Sequence, residues 1–245
     1  MRLHTSTWPE VEAYLEGSKG IIIPIGSTEQ HGPTGLVGCD ALCAEEIAWE
    51  GGKRGGLLVA PTFNVGSAQH HMNFPGSMTL RPSTMIAVIT DWVLSLAAHG
   101  FKRIYFLNGH GGNVAPIQAA FADIYARRAL DGDKADFIMK LRNWYDLPGI
   151  RALSDELYPV GDGSHATAAE ISITFAAYPE KEDCRELNPK IAPTGTITDK
   201  NHYRVDFPDG RIGSDPSQSN AADGRKLIDV AAGAMAVDAE TFFKS

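Results

Sequence analysis

The segment GIIIPI, Gly20–Ile25, decides the architecture. It is a short isoleucine-rich run followed by a polar loop from Gly26 to Gly38, which predicts a strand buried on both faces, as in parallel sheets. Asp40 to Glu50 reads as the helix that follows. The alternation then repeats. Leu57 to Ala60 gives a second strand, and Pro82 opens an apolar-periodic helix through Ala98, with Ser83 or Thr84 as its cap and Gly100 as its stop. Lys102 to Leu107 is a strand that Asn108–Asn113 turns into a helix running to about Leu130, and Ala135 to Leu141 is a further strand. Beyond a looser region from Trp144 to Ser164, Thr167 to Ala177 and Ala221 to Phe243 read as helices, the last weakened at Gly233. Pro189 to Ser219, rich in Pro, Gly, Asp and Asn, reads as an ordered or semi-ordered loop. Strands joined by covering helices define an α/β fold with a mostly parallel central sheet. With no internal repeat and no flexible linker, residues 1–245 are expected to form one domain.

Composition narrows the function classes. Hydrophobic residues make up 43% of the 245 and charged residues 21%, a balance that supports a packed core. The charges sum to 22 − 30 = −8, so a nucleic acid meets a repulsive average field. Cys39, Cys43 and Cys184 have no disulfide-framework spacing, which fits a reducing compartment. The N-terminal stretch carries Glu10, Glu12 and Glu16 where a secretion signal needs an apolar core. The apolar runs at 20–25 and 86–98 fall short of the roughly 20 residues that a bilayer requires. A cytoplasmic protein with neither a membrane nor a nucleic-acid partner is expected.

Ligands of such sheets bind outside the carboxyl ends of the strands, and two polar loops lie there. In the first, Glu29 and His31 are two apart, so an extended chain turns both side chains the same way; Asp40 is either a helix N-cap or a member of the same cluster. In the second, NGHGGN (Asn108–Asn113) sets His110 among three glycines that permit positive φ or close approach. It carries neither nucleotide-binding fingerprint, GxxxxGK[ST] or GxGxxG. A third element is SHATAAEIS, Ser164–Ser172. On a regular helix its His165 and Glu170 are roughly 140° apart, so they share a face only if His165 precedes the helix. Glu170 is either solvated or held by a cation. Two histidines and three carboxylates make a mixed N/O set that suits Zn, Mn or Fe, and a bridging Asp40 would let it hold two ions for hydrolytic chemistry. His70 and His71 either line this cleft or lie on the surface, and Trp144 and Tyr145 either wall a pocket or pack in the core.

These motifs together, PIGSTEQHGP (Pro24–Pro33) with Asp40, NFPGS (Asn73–Ser77), LNGHGGN (Leu107–Asn113), His165 with Glu170, and IGSDP (Ile212–Pro216), resemble the creatininase (creatinine amidohydrolase) family over most of the chain. The resemblance implies a three-layer α/β/α subunit, usually in a homohexamer, with a dinuclear centre that hydrolyses a cyclic amide or related C–N bond of a small molecule. Carried over, Glu29, Asp40 and His110 hold one metal, His31 and a bridging Asp40 the second with Glu170 completing it, and His165 moves the proton. His71, Trp144 and Tyr145 are expected at the substrate. The cofactor is expected to be two divalent ions per subunit, Zn or Mn, with Fe an option. Two departures mark this chain. Creatininase has a glutamate two residues after the loop histidine where Gly112 stands here, and an aromatic shortly before the H-x-x-x-x-E motif where this chain has Gly161-Asp162-Gly163. The wider family offers other chemistries, namely formamide deformylation, peptide trimming and hydrolysis of an inositol-derived ring ketone. A non-catalytic metal-binding oligomer component is the alternative of another class.

Overall fold

The computed structural model describes residues 1–132 and 134–245. Strand β1 (Gly20–Ile25) pairs in parallel with β2 (Arg103–Asn108), and β2 pairs in parallel with β3 (Ile138–Asn143), with Ile22 opposite Tyr105 and Tyr105 opposite Lys140. Parallel neighbours need long crossovers, which the helices provide. Alternation along the strands sends the side chains to two separate cores. Ile22, Tyr105 and Leu107 pack on one face with Cys43 and Ile47 of α2 (Cys39–Gly55), Ile171 of α6 (Ala168–Ala177), and Leu227 and Met235 of α8 (Ala221–Lys244). Ile21, Ile23, Ile25, Ile104 and Phe106 pack on the other with Met85, Ile89 and Val93 of α3 (Pro82–Ala98) and Ile117 and Ile124 of α4 (Val114–Leu130). The result is the expected three-layer α/β/α arrangement around a parallel sheet.

Several local expectations are corrected. Leu57–Ala60 runs beside β1 but forms bridges at Val59 in place of a strand. The Ala60 N–H reaches the Ile22 carbonyl and the Phe63 N–H reaches that of Pro24, while Pro24 and Pro61 between these bonds have no N–H to give. β3 starts at Ile138, whose N–H meets the Lys102 carbonyl, so residues 135–137 precede the start of its partner. The N-cap of α3 is Arg81, and Ser83 and Thr84 lie inside the first turn because Pro82 already fixes the helical φ at its first position. Helix α2 continues past Glu50 to Gly55, and α8 runs through Gly233. Three helices went unread: α1 (Trp8–Gly17), α5 (Ile150–Leu157) and α7 (Lys200–Asp206).

Helix α7 lies within the stretch expected to be a loop, capped by the Asp199 carboxylate, which accepts from the Asn201 and His202 N–H groups. The fully buried Arg211 orders the rest. Its guanidinium donates to the carbonyls of Pro189, Lys190 and Ser214 and to the Asp209 carboxylate. Among the described residues no helix is long and apolar enough to cross a membrane.

Helix α8 is tied to the sheet through one carboxylate. Asp238 accepts from Tyr105 Oη at 2.9 Å, Lys140 Nζ at 2.7 Å and Arg142 Nε at 3.1 Å. Burial pushes its carboxyl up, but these three donors outweigh that and hold it below its usual range. A depressed native pKa stabilises the fold above the unfolded value and is lost as pH falls through the native one. Asp238→Asn is expected to cost about 1–2 kcal/mol at pH 7, after discounting for partial exposure. Urea unfolding of both proteins should show this gap closing as the pH drops below about 4.

Candidate metal centre

The carboxyl ends of β1 and β2 open into the two polar loops, and these loops are locked together. The Asn113 amide donates to the Gly26 carbonyl and accepts from the Ser67 N–H, while the Gly109 N–H bonds the Ile25 carbonyl. The glycines of this loop act by closeness, since none of the three adopts a left-handed φ. A Cβ on Gly109 would strike the Asp40 carbonyl, and one on Gly112 would strike the His110 ring and the Ser67 carbonyl. Glycine is therefore what brings β2's loop down onto the first turn of α2. That turn carries Asp40, with Gly38 in the N-cap position, so Asp40 is free of the capping role and points into the cluster.

Asp40 sits between two imidazoles. His31 Nε2 is 3.1 Å from Asp40 Oδ1, and His110 Nδ1 is 3.1 Å from Oδ2. The opposite nitrogen of each ring is engaged by backbone, His31 Nδ1 with the Glu29 carbonyl at 3.1 Å and His110 Nε2 with the Ser67 carbonyl at 3.0 Å. Each ring thus keeps its N–H for a carbonyl and turns its other nitrogen to Asp40, the second-shell pattern of ligating histidines. Glu29 lies alongside, Oε2 at 3.3 Å from His110 Nε2 and Oε1 at 3.0 Å from His71 Nε2 and 3.9 Å from His165 Nδ1. Glu170 Oε1 is 4.0 Å from His31 Nε2. Its side chain is 14% exposed and engaged at the helix start: Oε1 accepts the Thr167 N–H, and Thr167 Oγ1 accepts the Glu170 N–H, a capping box at the start of α6. His165 precedes that helix, next to Ala166 at a left-handed φ of 54°.

The electrostatics call for cations. Glu29 and Asp40 are buried, and Glu29 Oε1, Glu29 Oε2 and Asp40 Oδ2 are inaccessible without an aligned hydrogen bond. Isolated carboxylates in such a place are costly. Burial opposes charge on the rings, yet Asp40 and the neighbouring glutamates lift His31 to about 10 and His110 to about 9. Burial likewise raises Glu29, and Glu170 to about 7. Burial pushes Asp40 up too, but His31 and His110 outweigh it and keep Asp40 well below its usual range. Glu29, Asp40 and His110 offer donor atoms all within 4.8 Å of one another, as do Glu29, His31 and His165, and His31, Cys39 and Glu170. Orphaned carboxylate oxygens facing histidine nitrogens are a mixed N/O donor set that fits divalent transition metals.

The cluster floors a cavity of about 1060 Å³ whose wall includes Trp144, Tyr145, Arg151, Asp162 and His70. Trp144 does both jobs expected of it, lining the cavity and packing in the core, and Tyr145 stands over Gly111. His70 and His71 are 9% and 1% exposed, so the surface reading of this pair is wrong. Burial lowers His71 to about 3 and His70 to about 4, leaving both neutral. The sequence reading had no place for Gln30, whose amide lies among His71, His165 and Gly210. A glutamine between two candidate ligands carries no motif. The capping box also went unread, although the Thr167-x-x-Glu170 spacing carries its signal.

The family model described as Creatininase: Creatinine amidohydrolase matches residues 4–237. The creatinine amidohydrolase of Pseudomonas putida is 29% identical over 187 residues, 72% of each chain. The 3-dehydro-scyllo-inosose hydrolase of Thermotoga maritima is 30% identical over 79% of this chain, which spans 62% of that protein. The mycofactocin precursor peptide peptidase of Mycolicibacterium smegmatis is 33% identical over 42% of this chain and 43% of its own. Among solved structures, a zinc–zinc form of a mutant creatininase superposes with TM-score 0.85 at 25% identity, covering 100% of this chain and 98% of that one. A creatinine amidohydrolase structure gives TM-score 0.86 at 24% identity with the same coverage. With the family pattern running through nearly the whole chain and the fold superposing end to end, this chain belongs to the creatininase family of amidohydrolases.

Proposed function

We propose that residues 1–245 form a single domain that hydrolyses a cyclic amide or related C–N bond of a small molecule with two divalent cations, Zn or Mn, per subunit. The observation that supports this most is Asp40, each of whose oxygens faces a different histidine nitrogen at 3.1 Å. On this reading Glu29, Asp40 and His110 hold one cation, and His31, Asp40 and Glu170 hold the other. A bound pair of this kind polarises a carbonyl and brings water toward neutral pKa. The rest is the work of the chain. The carbonyls of Glu29 and Ser67 hold His31 and His110 in the orientation that presents Nε2 and Nδ1. His165 Nε2 donates to the Gln30 carbonyl at 2.8 Å, which leaves Nδ1 with a lone pair toward Glu29. Burial, then His31 and His71, hold His165 neutral, so Nδ1 can take up the proton released during attack and return it to the leaving nitrogen. Trp144 and Tyr145 wall the cavity against which the substrate rests. Family membership carries the further reading of a cytoplasmic homohexamer.

A second reading, hydrolysis of a ring ketone, is favoured by the Thermotoga relative alone. Turnover of creatinine and other cyclic ureides, formamides and cyclic ketones, assayed side by side on the zinc- and manganese-loaded protein, separates the two.

Elemental analysis is expected to find two zinc or manganese ions per chain. Glu29→Gln, His31→Ala, Asp40→Asn, His110→Ala and Glu170→Gln should each lose at least one. His165→Ala should keep both while turnover falls about 10²–10⁴-fold; an emptied site in that variant would refute the proton-carrying role. Gly112→Ala, which presses on the His110 ring, should weaken zinc binding about tenfold in a competition titration, by analogy with other losses of ligand orientation.

A further inference from the structure

Gln30 is 5% exposed and is the hub of a polar network that joins distant parts of the chain. Its side-chain Nε2 lies 2.9 Å from His71 Nδ1, from His165 Nε2 and from the Gly210 carbonyl, and 3.3 Å from Tyr203 Oη. Its Oε1 accepts the Gly32 N–H at 2.8 Å, and its backbone carbonyl lies 2.8 Å from His165 Nε2. Gly210, at φ 89°, leaves room that any Cβ would take from this amide.

Counting hydrogens resolves the network. The Gly32 N–H fixes which end of the amide is oxygen, so Nε2 has two hydrogens to place. Tyr203 Oη reaches the same Gly210 carbonyl at 2.8 Å and donates there. His165 Nε2 faces a backbone carbonyl, which only accepts, so it must carry a hydrogen and cannot receive one from Gln30. Of the acceptors that remain, the Gly210 carbonyl and His71 Nδ1 lie at 2.9 Å and Tyr203 Oη at 3.3 Å, so the two amide hydrogens are assigned to the nearer pair. With Nδ1 accepting, a neutral His71 bears its hydrogen on Nε2, the atom 3.0 Å from Glu29 Oε1. Its rings stack on one another as well, His71 against His165 with centroids 4.5 Å apart.

We propose that Gln30 is a positioning residue that sets the tautomers of both histidines facing Glu29. Its side chain puts the His71 hydrogen on Nε2, the atom that faces Glu29 Oε1, and its backbone makes His165 present the Nδ1 lone pair. His71, which also lines the cavity, therefore steers a carboxylate of the metal centre. Asparagine would be too short to span these partners, and glutamate would offer oxygen where His71 Nδ1 needs a donor.

This inference rests on the reading of Glu29 as a metal ligand, so the test measures tautomer and metal separately, with zinc as the probe. In the zinc-loaded protein with ¹⁵N-labelled histidine, long-range ¹H–¹⁵N spectra should show His71 and His165 both protonated at Nε2. In Gln30→Glu, His71 should change to the Nδ1–H form and zinc affinity should fall about 10–100-fold. His71→Gln, which keeps a donor at the Nε2 position, should bind zinc nearly as wild type, whereas His71→Leu should bind it as weakly as Gln30→Glu. An Nδ1–H tautomer on wild-type His71, or unchanged zinc affinity in a folded Gln30→Glu, overturns the inference and leaves the metal centre standing. A wild type that takes up no zinc overturns the metal centre itself and this inference with it.

Discussion

One buried carboxylate organises this protein. Asp40 directs its two oxygens at His31 and His110, and with buried Glu29 and partly exposed Glu170 beside it the site concentrates negative charge where water screens it poorly. A low-dielectric pocket makes such charge expensive unless positive charge answers it. Protons on the two histidines are one answer and divalent cations are the stronger one. The cluster therefore represents a destabilising arrangement that the remainder of the fold has to maintain, as functional sites commonly do.

The scaffold does so by rigid placement. The two apolar faces of the sheet fix β1 and β2 in register, so the loops after Ile25 and Asn108 emerge side by side. Gly109 and Gly112 let one loop press onto the backbone that carries Asp40, and Asn113 bonds the loops together. Thr167 fixes Glu170 through a capping box, and Ala166, at its left-handed φ, turns the chain so that His165 comes back over His31 with ring centroids 4.6 Å apart. Around them Gln30, His71 and Tyr203 form a neutral, hydrogen-bonded collar. His31, His110, His165 and Glu170 thus each have a backbone contact that fixes their orientation, as precise placement of a site requires.

Much of this was readable in the residues themselves. The isoleucine run at 21–23 and 25 announced a strand buried on both faces, and the spacing of Glu29 and His31 placed both side chains in one cluster. What escaped had physical reasons. The prolines at 24 and 61 turn the predicted second strand into isolated bridges, a pairing effect invisible within either segment alone. Helix α7 is short and polar, stabilised by an Asp199 cap and the buried Arg211 clasp more than by any apolar stripe. Gln30 meets partners 41, 135 and 180 residues away, and no local pattern encodes a contact of that range. Sequence periodicity reports burial. It does not report which buried polar groups meet.

Anomalous diffraction from crystals grown with zinc, collected above and below the zinc absorption edge, tests the central claim most directly. Two peaks should flank Asp40, about 3.5–4 Å apart, one beside Glu29 and His110 and the other beside His31 and Glu170. An anomalous map with no peak within bonding distance of either Asp40 oxygen would contradict the account.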